Sequence, residues 1–189
     1  MTIYHVLSDW GDFLCASGVA VAVAVWAWLY LSRLSAVAFS VAYLLTVACG
    51  LLLKLISQQY ALPVSLANIW AFSDGAPSGH MALATVVYGS AALFFHHSDS
   101  GWRALGGQAI CAAVIVVVGV TRVTLQFHTI PDVLAGLALG GVAILIPASV
   151  LYRRGVEGQP LAGRLIMAML AVGCLILMSG IRMPSTNFL

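Results

Sequence analysis

Residues 104–152 read ALGGQAICAAVIVVVGVTRVTLQ, then FHTI, then PDVLAGLALGGVAILIPASVLY: two apolar runs, 104–126 and 131–152, parted by residues 127–130. A helix needs about 20 predominantly apolar residues to cross the hydrocarbon core of a bilayer. Each run meets that length, and the pair predicts a helical hairpin within a membrane. The pattern repeats outward, with further apolar runs at about 79–97, 36–57 and 12–32 before it and 163–182 after it. The sequence therefore reads as all-α, a polytopic membrane protein built as a bundle of six transmembrane helices in one domain, residues 1–189. Composition agrees, since 62% of the residues are hydrophobic and only 7% charged, far from the balance of a water-soluble domain.

Several alternatives fall away on composition. No Lys or Arg precedes the first run, whereas Asp9 and Asp12 do, so a cleaved signal peptide is not expected there. The net charge of +2 is scattered and offers no basic patch for nucleic acid. Cys15, Cys49, Cys111 and Cys174 stand singly in apolar runs, without metal-ligand spacing, and read as buried thiols. Ala135-Gly136 and Gly140-Gly141 place small residues where helices can approach closely in lipid.

Orientation follows from the basic residues. With six spans, Arg33, Arg103, Arg153, Arg154 and Arg164 fall on one side, while the other side holds only Arg182 besides Lys54 and Arg122. The excess marks the first side as cytoplasmic. Both termini and the loops 58–78 and 127–130 are then expected on the extracytoplasmic side. Residues 62–72 are apolar but too short to span, and are expected to lie along the interface. His96 and His97, at the cytoplasmic end of the third run, read as solvated.

Two compact groups of ionisable residues border these spans: Pro77-Ser78-Gly79-His80, and Arg122-x5-His128-x3-Asp132. Ionisable groups beside apolar spans are expensive to bury and mark functional sites by default. Pro131 suits the first turn of the fifth helix, which places Asp132 among unpaired amides at the positive end of that helix. An imidazole–carboxylate hydrogen bond from His128 to Asp132 would fix the tautomer and leave the other ring nitrogen as a nucleophile. Arg122 offers a planar fork for two phosphate oxygens. Ser78 and Gly79 lead into the third helix, whose free N–H groups form an anion site, and His80 is placed to protonate a leaving oxygen. Lys54, near the outer end of the second run, reads equally as a phosphate ligand or a snorkelling lysine.

These residues resemble the type 2 phosphatidic acid phosphatase (PAP2) superfamily of integral-membrane lipid phosphatases. That pattern has a Lys followed after six residues by Arg-Pro, then Pro-Ser-Gly-His, then Ser-Arg-x5-His-x3-Asp. The chain matches the second part at Pro77 to His80 and the third at Arg122, His128 and Asp132, with Thr121 in place of serine. It departs in the first part: Lys54 is followed by Ala61 and Leu62 before Pro63, so one phosphate-binding arginine is missing. Gln58 or Gln59 could substitute as neutral donors, at roughly half the strength of a charged one.

The resemblance implies a phosphohistidine mechanism. His128 attacks phosphorus, Asp132 holds its ring, and His80 protonates the leaving oxygen and then activates water. Lys54, Ser78, Gly79 and Arg122 hold the phosphate oxygens, and no metal or other cofactor takes part. The implied partners are a lipid phosphate substrate and membrane lipids, and the implied location is a bacterial-type inner membrane. Candidate substrates are phosphatidate, phosphatidylglycerophosphate and undecaprenyl pyrophosphate. Phosphotransfer to a second lipid, or lipid binding or transport without catalysis, stays open beside hydrolysis.

Overall fold

The computed structural model describes residues 13–59, 72–73, 75–98 and 101–154, together with 168–169, 171–173 and 175–176. Five helices run through them: α1 (Phe13–Tyr30), α2 (Arg33–Gln59), α3 (Gly79–Ser98), α4 (Trp102–Thr124) and α5 (Ile130–Arg154). No strand occurs among the described residues. Local chemistry sets several boundaries. Ser32 Oγ accepts the Ser35 amide at 3.0 Å and caps α2 two residues after α1 ends. Gly101 turns the chain into α4 with φ of +64°, a left-handed conformation that glycine adopts without steric cost.

Among the described residues, four helices are long and apolar enough to cross a membrane: Phe13–Tyr30, Arg33–Ser57, Trp102–Thr124 and Ile130–Arg153. Their outer faces expose large side chains such as Leu51, Leu52, Val116, Val120, Leu134 and Val142. So much contiguous apolar surface needs an apolar solvent, and the chain is a membrane protein.

The remaining helix is different. The 20 residues of α3 measure about 30 Å at 1.5 Å per residue. It packs against all four of the others, and residues 81–88 are buried without a break. Protein, not lipid, surrounds it, so it can carry Thr85 and Ser90 in its interior and needs less hydropathy than its neighbours. Within the expected sixth span, 163–182, the described residues are helical, and Val172 and Ile176 lie against Gly18 of α1.

Two residue-level expectations need correction. Cys15 and Cys111 are buried, but Cys49 is exposed, because the outer half of α2 turns a broad face away from the bundle. Cys174 lies outside the described residues. His96 is exposed, whereas His97 is half-buried with its ring edge-on to Tyr152 at 5.1 Å between centroids.

The contact that sets the site is α3 against α5. A Cβ on Gly136 would collide with the Ser78 carbonyl, and one on Gly140 would lie 2.6 Å from both the Ala82 oxygen and Thr85 Cβ. Two glycines one turn apart thus let the backbone of α5 rest directly on the first turns of α3. Gly141 faces open space. Gly140→Ala should therefore destabilise the protein by about 1–3 kcal/mol, as overpacking does, and lower activity by parting the helices. Gly141→Ala should leave both unchanged. Thermal unfolding in detergent, read beside phosphate release, checks the pair.

Candidate active site

The end of α2, the start of α3, the end of α4 and the start of α5 meet at one end of the bundle, and every residue singled out from the two motifs lies there. The spacing of the second motif is fixed by how α4 stops. Gln126 takes φ of 57°. Its amide reaches the Val123 carbonyl at 3.0 Å, and the Phe127 amide reaches the Arg122 carbonyl at 3.1 Å. This is a Schellman stop with glutamine where glycine is usual. The His128 amide also reaches the Arg122 carbonyl, at 3.2 Å, so the chain folds back and brings His128 level with Arg122. Phe127 then covers the Arg122 guanidinium at 4.5 Å from ring centroid to carbon, leaving a buried fork in a set orientation.

Asp132 is fully buried and gathers its surroundings. One oxygen, Oδ1, accepts the Ser73 amide at 3.0 Å; the other, Oδ2, accepts the Ser73 hydroxyl at 2.6 Å and the Thr129 amide at 3.0 Å. His128 Nδ1 lies 3.5 Å from the same Oδ2. That is an ion-pair distance, and Nδ1 makes no hydrogen bond among the described residues. The geometry leaves Nε2 of His128 as the nitrogen turned from the carboxylate. The Asp132 main-chain oxygen accepts the Ser78 amide at 3.0 Å, so one residue ties both motifs together.

The first motif is held from three directions. Ser73 opens a turn closed by the Ala76 amide on its carbonyl at 3.1 Å, and Ser57 Oγ bridges the carbonyls of Ala76 at 2.9 Å and Lys54 at 2.8 Å. The Ser57–Ala76 bond brings the outer end of α2, and with it Lys54, to the loop before α3. Ser78 stands at the N-cap of α3, fully buried, and its hydroxyl has no partner among the described residues. Gly79 is exposed, with no atom within 4 Å of where a Cβ would sit. His80, on the first turn, lies within electrostatic reach of Arg122, His128 and Lys54.

Two cations, an N-cap hydroxyl and a helix N-terminus lie near two imidazoles, a set with the chemistry to hold an anion. All seven expected residues come together. Thr121, the replacement for serine, does not join them, because its hydroxyl donates to the Val118 carbonyl at 2.8 Å within α4. Ala61, residues 62–71, Asp74 and the side chains of Gln58 and Gln59 lie outside the described residues.

Three residues went unread in the sequence. Thr129-Ile130-Pro131-Asp132 has the spacing of a capping box, and the Asp132 carboxylate does reach back to the Thr129 amide. That signal was local and available. Ser73 and Ser57 act across the fold and have no such signature.

The PAP2 superfamily model matches residues 35–156, from the first turn of α2 to just past α5. No curated protein and no solved structure matches the chain. The family match covers well over half of the sequence and encloses Lys54, both motifs and the helices that carry them. The chain belongs to the PAP2 superfamily, whose members are generally phosphatases.

Proposed function

We propose that this protein hydrolyses a lipid phosphomonoester or polyprenyl pyrophosphate through a phosphohistidine on His128. The substrates are of the phosphatidate, phosphatidylglycerophosphate or undecaprenyl pyrophosphate type. The observation that carries the reading is the placement of His128 Nδ1 3.5 Å from the buried Asp132, beside His80 and a Ser78 hydroxyl with no partner among the described residues. Exposed Phe72 and Phe127 flank the site and favour a substrate with an apolar tail over a soluble phosphate ester.

The steps are those the PAP2 resemblance implies, and the arrangement of the residues supports them. His128 Nε2 attacks phosphorus as the bond to the lipid oxygen breaks, and His80 gives that oxygen a proton. Phosphorus is now bonded to Nε2, and the negative charge of Asp132 beside Nδ1 stabilises the positive charge of the ring. Water then attacks, His80 takes its proton back, and the phosphorus–nitrogen bond breaks to release inorganic phosphate. Lys54, Arg122, Ser78 and the Gly79 amide hold the equatorial oxygens as charge redistributes, so no metal is needed. With Ala61 in place of an arginine, one charged contact fewer grips the phosphate.

The remaining topology belongs to the same proposal. With α3 and residues 163–182 as spans, the bundle has six helices, and the arginine distribution supports a site on the extracytoplasmic face, the membrane being of the bacterial inner type in this reading. The test is phosphate release by purified protein from each of the three lipids in detergent micelles, with and without a chelator. Metal-independent release from at least one lipid is expected. A folded protein that releases none from any of them would overturn the reading.

A further inference from the structure

We infer that Ser73 is a positioning residue of this reaction: its hydroxyl fixes the Asp132 carboxylate, and through it the ring of His128. The inference rests on the hydrolase reading above. Ser73 lies 59 residues before Asp132 and is itself buried. Its hydroxyl has a defined direction. Gly75 N–H donates to Ser73 Oγ at 3.2 Å, so the hydroxyl hydrogen is left for Asp132 Oδ2 at 2.6 Å. The Ser73 amide holds Oδ1 at 3.0 Å. One residue therefore grips both carboxylate oxygens and sets the plane of the group.

That plane matters because Oδ2 is shared. A carboxylate oxygen has two lone-pair positions, and the Ser73 hydroxyl and Thr129 amide approach Oδ2 more closely than His128 Nδ1 does. The Ser73 bond is the shortest of the three and decides where the shared oxygen points. The same loop packs on the nucleophile, since the Cβ position of Gly75 is 3.5 Å from His128 Cε1. Ser73 thus joins the loop that opens into the anion site to the group that orients the nucleophile, without itself reaching phosphate.

Ser73→Ala removes the hydroxyl while keeping the amide bond to Oδ1. On the lipid of the three that is turned over fastest, kcat should fall about 10- to 100-fold, the usual loss when an orienting partner is removed. KM and the inhibition constant of inorganic phosphate should stay within about twofold, since the phosphate contacts are intact. Ser73→Thr, which keeps a hydroxyl, should recover most of kcat. In an Asp132→Asn background Ser73→Ala should cost little more, because the two act through one group. Wild-type kcat in Ser73→Ala, beside an inactive His128→Ala, would overturn the positioning role and leave the hydrolase standing. A phosphate inhibition constant that rises with the loss of kcat would also overturn it, by assigning Ser73 to phosphate binding. Full activity in His128→Ala would remove the hydrolase reading itself.

Discussion

His128→Ala should lower phosphate release by about 10⁴-fold or more, the scale seen when a catalytic nucleophile is deleted. Ser78 carries a hydroxyl in the same site, but its Oγ hydrogen-bonds to no base among the described residues. The imidazole of His128, by contrast, has a carboxylate behind it at 3.5 Å. Rapid acid-free quenching with radiolabelled lipid should trap an acid-labile, base-stable phosphoprotein in the wild type and none in His128→Ala. An acid-stable label would place the phosphoryl group on a serine and refute the mechanism. His80→Ala provides the contrast. Loss of a general acid is worth about 10²–10⁴ in rate, and the loss should shrink when the leaving group is p-nitrophenolate, which departs without a proton. Loss of His128 should be insensitive to the leaving group, because no bond to phosphorus forms at all.

Helix positions were legible because each apolar run is bounded by charge, proline or glycine. The end of α4 shows where such reading stops. No glycine marks its stop, and Gln126 adopts the left-handed conformation as its own amide meets the Val123 carbonyl and the Phe127 and His128 amides meet that of Arg122. Average hydropathy also misses what α3 does. A helix enclosed by four others is free of the need to face lipid, so its serines, threonines and histidines report position in the bundle, not distance from the membrane.

The site was legible to the extent that its chemistry is local. Arg122, His128 and Asp132 sit on one helix stop and the next helix start, so their spacing alone predicts that they meet. Ser78 to His80 announce an anion site in the same way. What joins the two groups is long-range: Ser73 to the Asp132 carboxylate, Ser78 to the Asp132 main chain, and Gly136 and Gly140 under the first turns of α3. A serine among many serines carries no mark of a partner 59 residues away. Sequence named the reacting groups, and packing named the residues that aim them.

Asp132 holds both offices, and two substitutions should separate them. Asp132→Ala leaves the Ser73 amide, the Ser73 hydroxyl and the Thr129 amide without their acceptor in a place shielded from solvent. Each unsatisfied buried donor is worth about 1–3 kcal/mol, and partial rehydration brings the expected destabilisation to about 3–5 kcal/mol. Asp132→Asn is the same shape. Its amide oxygen can take the Oδ2 position and keep the Ser73 hydroxyl and the Thr129 amide as donors, while its NH2 faces only the Ser73 amide. The expected destabilisation is then about 1–2 kcal/mol, one donor's worth. Activity should not follow stability. The asparagine variant lacks the negative charge that supports an imidazolium-like His128 after attack, and about 10³–10⁴-fold in kcat should be lost, as when a triad carboxylate becomes an amide. Unfolding of both variants in detergent, set beside their turnover, gives the answer. Near-wild-type turnover in Asp132→Asn would show that the residue serves only to tie the two motifs together. If turnover is lost in both variants but stability in the alanine variant alone, the carboxylate's charge acts in the reaction and its hydrogen bonds in the fold.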